Sequence, residues 1–348
     1  MQELQSFLVS PTVSVGYSHK AFLLPSGEVY TSGANESGQL GIGSKATTRL
    51  THRISIPNTI TKVVCRGRHT LVITVDGSVY GCGANHQRAL GIGDQGSKTT
   101  LTRMLLDLPA RDIATSMLHT LILLQDGSVF ICGRSGHNIP VKISLPLLAV
   151  SIACNADTGF ALLEDDSIYG WGNNTLGQLG VGDTIDRLVP TKMILPPNMR
   201  PISIKGGYAH TLVLMENGSV YGCGETNEGQ LGVKASANKL LLVKMNLPQR
   251  VVSISPGSES SYCITDTGDV YGFGFNTRGQ AGLPPRYDNL GMVAVKILLP
   301  SPVSMVEAGH DEVVFVLENG EVYGCSNLWV GIPPMKMELV EEVGYYFA

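Results

Sequence analysis

The sequence predicts an all-β chain, a seven-bladed β-propeller of four-stranded blades, built as one domain over residues 1–348 and closed by strands from both termini. Three observations predict it: an internal repeat of about 50 residues, a hairpin signal inside each repeat, and the lack of any helical period.

The repeat shows first as a heptapeptide, Gly-Ser-Val-Tyr-Gly-Cys-Gly, which stands at 77–83 and again at 218–224. Its aromatic residue has counterparts at Tyr30, Phe130, Tyr169, Tyr271 and Tyr323. The spacing is about 50 residues, except for a short step of about 39 between Phe130 and Tyr169. Three residues before each aromatic lies a turn position: Gly27, Gly77, Gly127, Asp166, Gly218, Gly268 and Gly320. Pairs such as Asp76-Gly77 and Asn217-Gly218, set between apolar alternations, mark tight hairpins because both residues accept positive φ. Asp166 accepts it too, at more cost.

The rest of each period follows. An apolar strand such as 70–73 or 211–214 precedes the turn, and another, such as 60–64, precedes that. After the hairpin come a polar glycine loop and a short segment ending in Leu-Pro or Ile-Pro, as at Leu108-Pro109 and Leu195-Pro196. Each unit offers about four short strands and cannot hide its apolar faces alone. A radial arrangement covers each sheet with its neighbours and leaves only short edges.

Composition bounds the function. Glycine is 41 of 348 residues, charged residues are 16% and aromatic residues 6%, the profile of a turn-rich globular chain. A formal net charge of −4 supplies no basic field for gripping nucleic acid. No apolar run reaches the ~18 residues of a membrane helix. Residues 1–5 lack the start of a signal peptide, so the expected location is cytoplasmic, with the nucleus as alternative. The seven cysteines are widely spread with no Cys-x-x-Cys pair, as expected of free thiols in a reducing compartment.

The polar loop carries a signature. Asn35-Glu36-Ser37-Gly38-Gln39-Leu40-Gly41-Ile42-Gly43 recurs as Asn174-Thr175-Leu176-Gly177-Gln178-Leu179-Gly180-Val181-Gly182, and in part as Asn227-Glu228-Gly229-Gln230-Leu231-Gly232. Weaker copies are Arg88-Ala89-Leu90-Gly91 and Gly279-Gln280-Ala281-Gly282. With the His-Thr and Asp-Gly-x-Val-Tyr elements, the chain resembles the regulator of chromosome condensation repeat family along essentially its whole length. The resemblance implies the propeller; it implies function less sharply, because the fold hosts several. One family activity is nucleotide exchange on the small GTPase Ran, which uses a wedge from a lengthened third blade. Here the third period is the shortest, and its loop is Arg134-Ser135-Gly136-His137-Asn138. The basic tail that helps the exchange factor hold chromatin is not present in residues 1–10. Light sensing in the family needs clustered tryptophans, whereas Trp171 and Trp329 are the two here. No ligase domain follows the repeats in this sequence.

No catalytic, cofactor or metal constellation emerges. His19, His69, His119 and His210 each lie eight residues before a turn position, where other repeats hold Thr158, Ser260 and Glu312. Equivalent positions on separate blades do not converge on one ion, so these histidines are expected to hydrogen-bond backbone. Cys82, Cys132, Cys223 and Cys325, in register, read as small core residues. The run from Gly91 to Thr99 nearly spells a phosphate loop but sets its lysine one position late. Asp165-Asp166 reads as a turn and Glu341-Glu342 as a solvated strand face.

Binding is expected on loops that differ between repeats. The candidates are Lys45, Arg49 and His52; Lys98 and Arg103; Arg134 and His137; and the proline-stiffened Arg286, Tyr287 and Asp288. Residues 334–339 resemble residues 190–195, residues 343–346 look like the start of an eighth unit, and residues 8–16 read like the same segment at the other end. The expectation is therefore one blade completed by strands from each end, removing an open edge. The function expected is a non-enzymatic protein-interaction module or scaffold, with cytoskeletal, ligase-adaptor or small-GTPase proteins as partner classes. The alternative is exchange on a Ran-like GTPase.

Overall fold

The computed structural model describes residues 11–54, 56–134, 136–233, 237–276, 293–310, 312–326, 334–340 and 344–347. Within them the chain forms seven antiparallel sheets in sequence order. Blade 5 shows the plan: Pro201–Gly206 is innermost, then His210–Met215, Val220–Gly224 and, outermost, Lys239–Lys244. The predicted turn sits between the second and third strands. Gly218 has φ 81°, its N–H donates to Met215 O, and Ser219 N–H donates to the Asn217 side chain at 2.9 Å. In blade 4 Asp166 takes the glycine position with φ 65°, and Ser167 N–H donates to Asp165 Oδ1 at 3.0 Å.

Second strands such as His69–Thr74 and His119–Leu124 are buried at every position. Both faces of each blade are covered, so these strands read as continuous apolar runs rather than alternations. The apolar cores accordingly lie between blades. Leu71, Ile73 and Leu90 of blade 2 pack on Ile113, Ile122 and Cys132 of blade 3. Phe160 and Leu179 of blade 4 pack on Ile204 and Val213 of blade 5. Each seam around the ring has such a cluster.

The recurring glycine loop is a latch. Asn35 folds it, accepting from Leu40 N–H at 2.9 Å and donating to Ser44 O at 3.0 Å. Asn85 and Asn174 do the same for Leu90 and Leu179. The loop then offers a carbonyl to the next blade: Thr70 donates to Gln39 O, Thr120 to Ala89 O, Thr211 to Gln178 O and Ser261 to Gln230 O, at 2.7–2.8 Å. Cys82, Cys132 and Cys223 thiols address the same three carbonyls of Gln39, Ala89 and Gln178 at 3.5 Å. Blade 3 replaces this loop by a tight return in which Gly133 N–H donates to His137 O, and its outer strand shrinks to Val141–Lys142.

Ring closure differs from the expectation. Among the described residues no blade mixes strands from the two ends. Blade 1 runs from Thr12–Val15 to Thr48–Ile54, and blade 7 from Val303–Ala308 to Met335–Val340. The segment that resembled an eighth unit, Gly344–Phe347, adds a fifth strand to blade 7, pairing with Met335–Val340. Closure is by packing: Val13, Val15 and Phe22 meet Val314, Val316, Val322 and Met337. An ion pair between Lys20 and Glu312 crosses the same seam. A hydrophobic seam already covers both faces, so no shared sheet is needed there.

Candidate functional site

The strand order places two sets of loops at one end of the ring: those after each first strand and those after each third. They touch, as where Ala34 N–H donates to Ser18 O at 2.8 Å. This loop face surrounds the mouth of a central channel.

Three of the four repeat histidines bridge blades beneath the face, while His119 Nδ1 meets Ser116 Oγ of its own blade at 2.9 Å. His19 Nε2 meets Thr70 Oγ1 at 3.0 Å, His69 Nε2 meets Thr115 Oγ1 at 2.7 Å, and His210 Nε2 meets Ser261 Oγ at 2.9 Å. The partner is thus a hydroxyl of the next blade rather than the backbone expected from sequence. Burial holds all four imidazoles neutral, pushing His19 and His210 down to about 3 and His69 and His119 to about 4. Gly16 and Gly207 leave room for the rings; a Cβ there would stand 2.2 and 2.1 Å from the imidazole Cε1 atoms of His19 and His210. In blade 4, where Thr158 replaces histidine, Asn155 fills the gap from three residues earlier, and its Nδ2 donates to Thr211 Oγ1 at 3.2 Å.

The thiols are equally inert. All seven cysteines are free and buried, and burial pushes Cys65, Cys132, Cys223 and Cys325 up to about 12 and the others higher. Labelling with an aromatic disulfide reagent at pH 8 is expected to modify none of the seven in the native protein and all seven in denaturant. Rapid native labelling of even one would contradict the packing. Among the described residues no three His, Cys, Asp or Glu side chains converge as a metal site, and no helix is long and apolar enough to cross a membrane.

Three residues before the histidine position, blades 1, 5, 6 and 7 carry Gly16, Gly207, Gly257 and Gly309, whereas blade 2 carries Arg66. The Arg66 side chain crosses the channel. Nη1 donates to Ala308 O of blade 7 at 3.0 Å, and Nη2 approaches Pro256 O of blade 6 at 3.4 Å. The guanidinium lines both the mouth above and the channel below, a cavity of about 350 Å³ whose walls include Lys62, Asp112, Lys205 and Glu307. Lys62 and Asp112 pair with each other. Around the mouth stand the stacked rings of Tyr17 and His310, 4.1 Å apart, with Met117 44% and Tyr208 52% exposed.

Among the described residues, charge is segregated around this mouth. Over blades 1–3 the described loops carry Lys45, Arg68, Arg88, Lys98 and Arg134 against Glu36 and Asp94. Over blades 4–6 they carry Asp157, Asp183, Asp186, Glu225, Glu228 and Glu259 against Arg187 and Lys239. The acids sense one another: partial burial, then Glu259 and Glu228, raise the Glu225 carboxyl above its ordinary range.

Of the residues singled out from sequence, Lys45, Lys98, Arg134 and His137 share the basic sector. Lys45 and His137 are exposed, Lys98 pairs with Asp94 at 2.8 Å, and Arg134 pairs with Asp157 across the boundary between sectors. That Lys98–Asp94 pair sits where the sequence nearly spelled a phosphate loop. Arg49 and His52 lie on the outer strand of blade 1, where His52 meets Thr48 at 3.3 Å. Arg103 lies on the outer strand of blade 2, donating to Ser78 at 3.3 Å near the opposite end of the blade. Arg286, Tyr287 and Asp288, like Trp329, Glu341 and Glu342, lie outside the described residues. Arg66 and the aromatic mouth were missed; the arginine in a glycine register was the available signal.

The regulator of chromosome condensation (RCC1) repeat signature matches residues 26–73, 165–214 and 217–264, and a second form of it matches 60–88, 149–178, 202–230 and 251–280. The ultraviolet-B receptor UVR8 of Arabidopsis thaliana is 35% identical over 79 residues, 23% of this chain and 18% of its own length. The guanine nucleotide exchange factor SRM1 of Saccharomyces cerevisiae is 35% identical over 86 residues, 24% of this chain and 18% of its own length. The matched stretch therefore spans less than a fifth of each of these relatives. Prp20p of Saccharomyces cerevisiae, a protein characterised for binding Gsp1p and histones, superposes with a TM-score of 0.78 at 22% identity, over 86% of this chain and 80% of its own. That structure shares the ring, and the repeat signatures together cover more than half of the sequence: the chain belongs to the regulator of chromosome condensation (RCC1) repeat family.

Proposed function

We propose that this propeller is a non-catalytic protein-interaction module that engages its partner on the loop face. The observation that carries this reading is the segregation of basic and acidic loops on either side of one aromatic mouth. Such a surface orients a partner of complementary polarity and raises its rate of encounter. The latches fix the loops before binding, so little ordering entropy is lost on docking. Exchange on a Ran-like GTPase is the second reading, supported by the similarity to SRM1. The two-residue outer strand and short loop of blade 3 give that reading no wedge.

The test uses the whole chain as bait in native extract. Arg68→Glu with Arg134→Glu, and separately Glu228→Lys with Glu259→Lys, should each lose the captured partner, while Lys244→Glu, at the opposite end of an outer strand, should retain it. Equal retention by all three would refute the loop-face reading. Release of a fluorescent GDP analogue from Ran, accelerated by catalytic amounts of the protein, would favour exchange instead.

A further inference from the structure

The mouth has an occupant written into its chemistry. Arg66 is half-buried and its hydrogen-bonding partners are carbonyls, Ala308 O and Pro256 O. Among the described residues no carboxylate forms an ion pair with it, and Glu307 on the channel wall below is not ion-paired to it. A guanidinium has five N–H donors, so it keeps capacity after these two bonds. A charge drawn this far from water is costly until an anion meets it. The space above it is about 40 Å³, the size of a side-chain tip rather than of a cofactor. Its walls set the Tyr17–His310 stack, Met117 and Tyr208 beside the polar Thr115, Ser116, Asn155 and Ser258. Aromatic residues around an arginine, ringed by charged loops, have the make-up of an interface hot spot.

We infer that this mouth is a socket for one carboxylate side chain of a partner protein, an aspartate or glutamate flanked by apolar residues, seated on Arg66 between Met117, Tyr208 and the Tyr17–His310 pair. The inference rests on the loop-face reading and names the contact at its centre. The carboxylate accepts from the remaining guanidinium N–H groups, and the apolar flanks cover Met117 and Tyr208. The protein source is favoured over a free anion because half of the lining is apolar surface that a small ion leaves wet.

The experiment is a titration of the full chain, labelled at methionine methyls, with acetyl-Leu-Asp-Leu-amide, acetyl-Leu-Asn-Leu-amide and sodium acetate. The aspartyl peptide is expected to shift the Met117 methyl saturably, with the asparaginyl peptide and acetate at least 10-fold weaker. Arg66→Gln should weaken the aspartyl peptide at least 10-fold. Arg66 also ties three blades together, so Tyr208→Ala, a change at an exposed side chain, serves as a second variant and should weaken the same peptide several-fold with an unaltered melting temperature. Equal response to aspartyl and asparaginyl peptides would overturn the socket, as would acetate matching the peptide or a response that survives both variants. If the peptide fails while the charge-reversed sectors still lose the captured partner, the loop face stands and the socket falls.

Discussion

Acidification from pH 7 to pH 5 is expected to remove most of the stability of the ring. Four buried imidazoles set this result: His19 and His210, held down to about 3, and His69 and His119, held down to about 4. Burial is the leading cause in each, with neighbouring charge secondary: His69 acts on His19, His119 on His69, and Arg66 on His210. Folded values lie below the unfolded value of ~6.5, so the unfolded chain binds the extra protons. The stabilisation is complete above pH 6.5 and is lost as pH falls from there towards 3–4. By pH 5 each histidine has lost about 2 kcal/mol, or about 8 kcal/mol for the four, set against a typical total of ~5–15 kcal/mol. Urea midpoints at half-unit steps of pH provide the measurement. Substituting His69→Gln and His210→Gln together should flatten the slope between pH 6 and 5 by about 1 kcal/mol per unit for each residue replaced. A slope that does not change would mean that these rings titrate freely.

The second large effect concerns the closing seam. Phe22 is 0% exposed and sits with Val13 and Val15 against Val314, Val316, Val322 and Met337 of blade 7. Phe22→Ala is expected to cost about 3–5 kcal/mol, through lost transfer energy and the cavity left behind. Val75→Ala, at a side chain 71% exposed, should stay within about 0.5 kcal/mol. Denaturant unfolding measures both. A small loss for Phe22→Ala would show that this seam contributes little to holding the ring shut.

Local rules were legible in the sequence and distant partnerships were not. The hairpins follow from Asn-Gly and Asp-Gly pairs, and even Asp166 was recognised as the exceptional turn, because a turn depends on four adjacent residues. The blade cores grew from apolar strands read in the sequence, such as Leu71-Val72-Ile73, and the ring covers both of their faces. The histidines were read as structural, yet their bridging partners, Thr70, Thr115 and Ser261, lie 46–51 residues away on other blades. No local period encodes which hydroxyl faces which ring. The same limit hid the Asn155 substitution in blade 4 and the reach of Arg66 across the channel. The mistaken clasp had a different cause. Similarity between the two ends was taken for a shared role, whereas packing of Phe22 against blade 7 had already sealed the seam.

The contiguity of blades 1 and 7 has a mechanical meaning. In a ring whose first and last strands share a sheet, tension on the chain ends shears a row of backbone hydrogen bonds. Here each terminal blade is a self-contained piece of chain, joined to the other by side-chain packing, an ion pair and the approach of Gly344–Phe347 to Thr48–Ile54. Parting blade 1 from blade 7 therefore breaks a side-chain boundary, a joint of greasy contact that should grow softer in the cold, where hydrophobic attraction weakens.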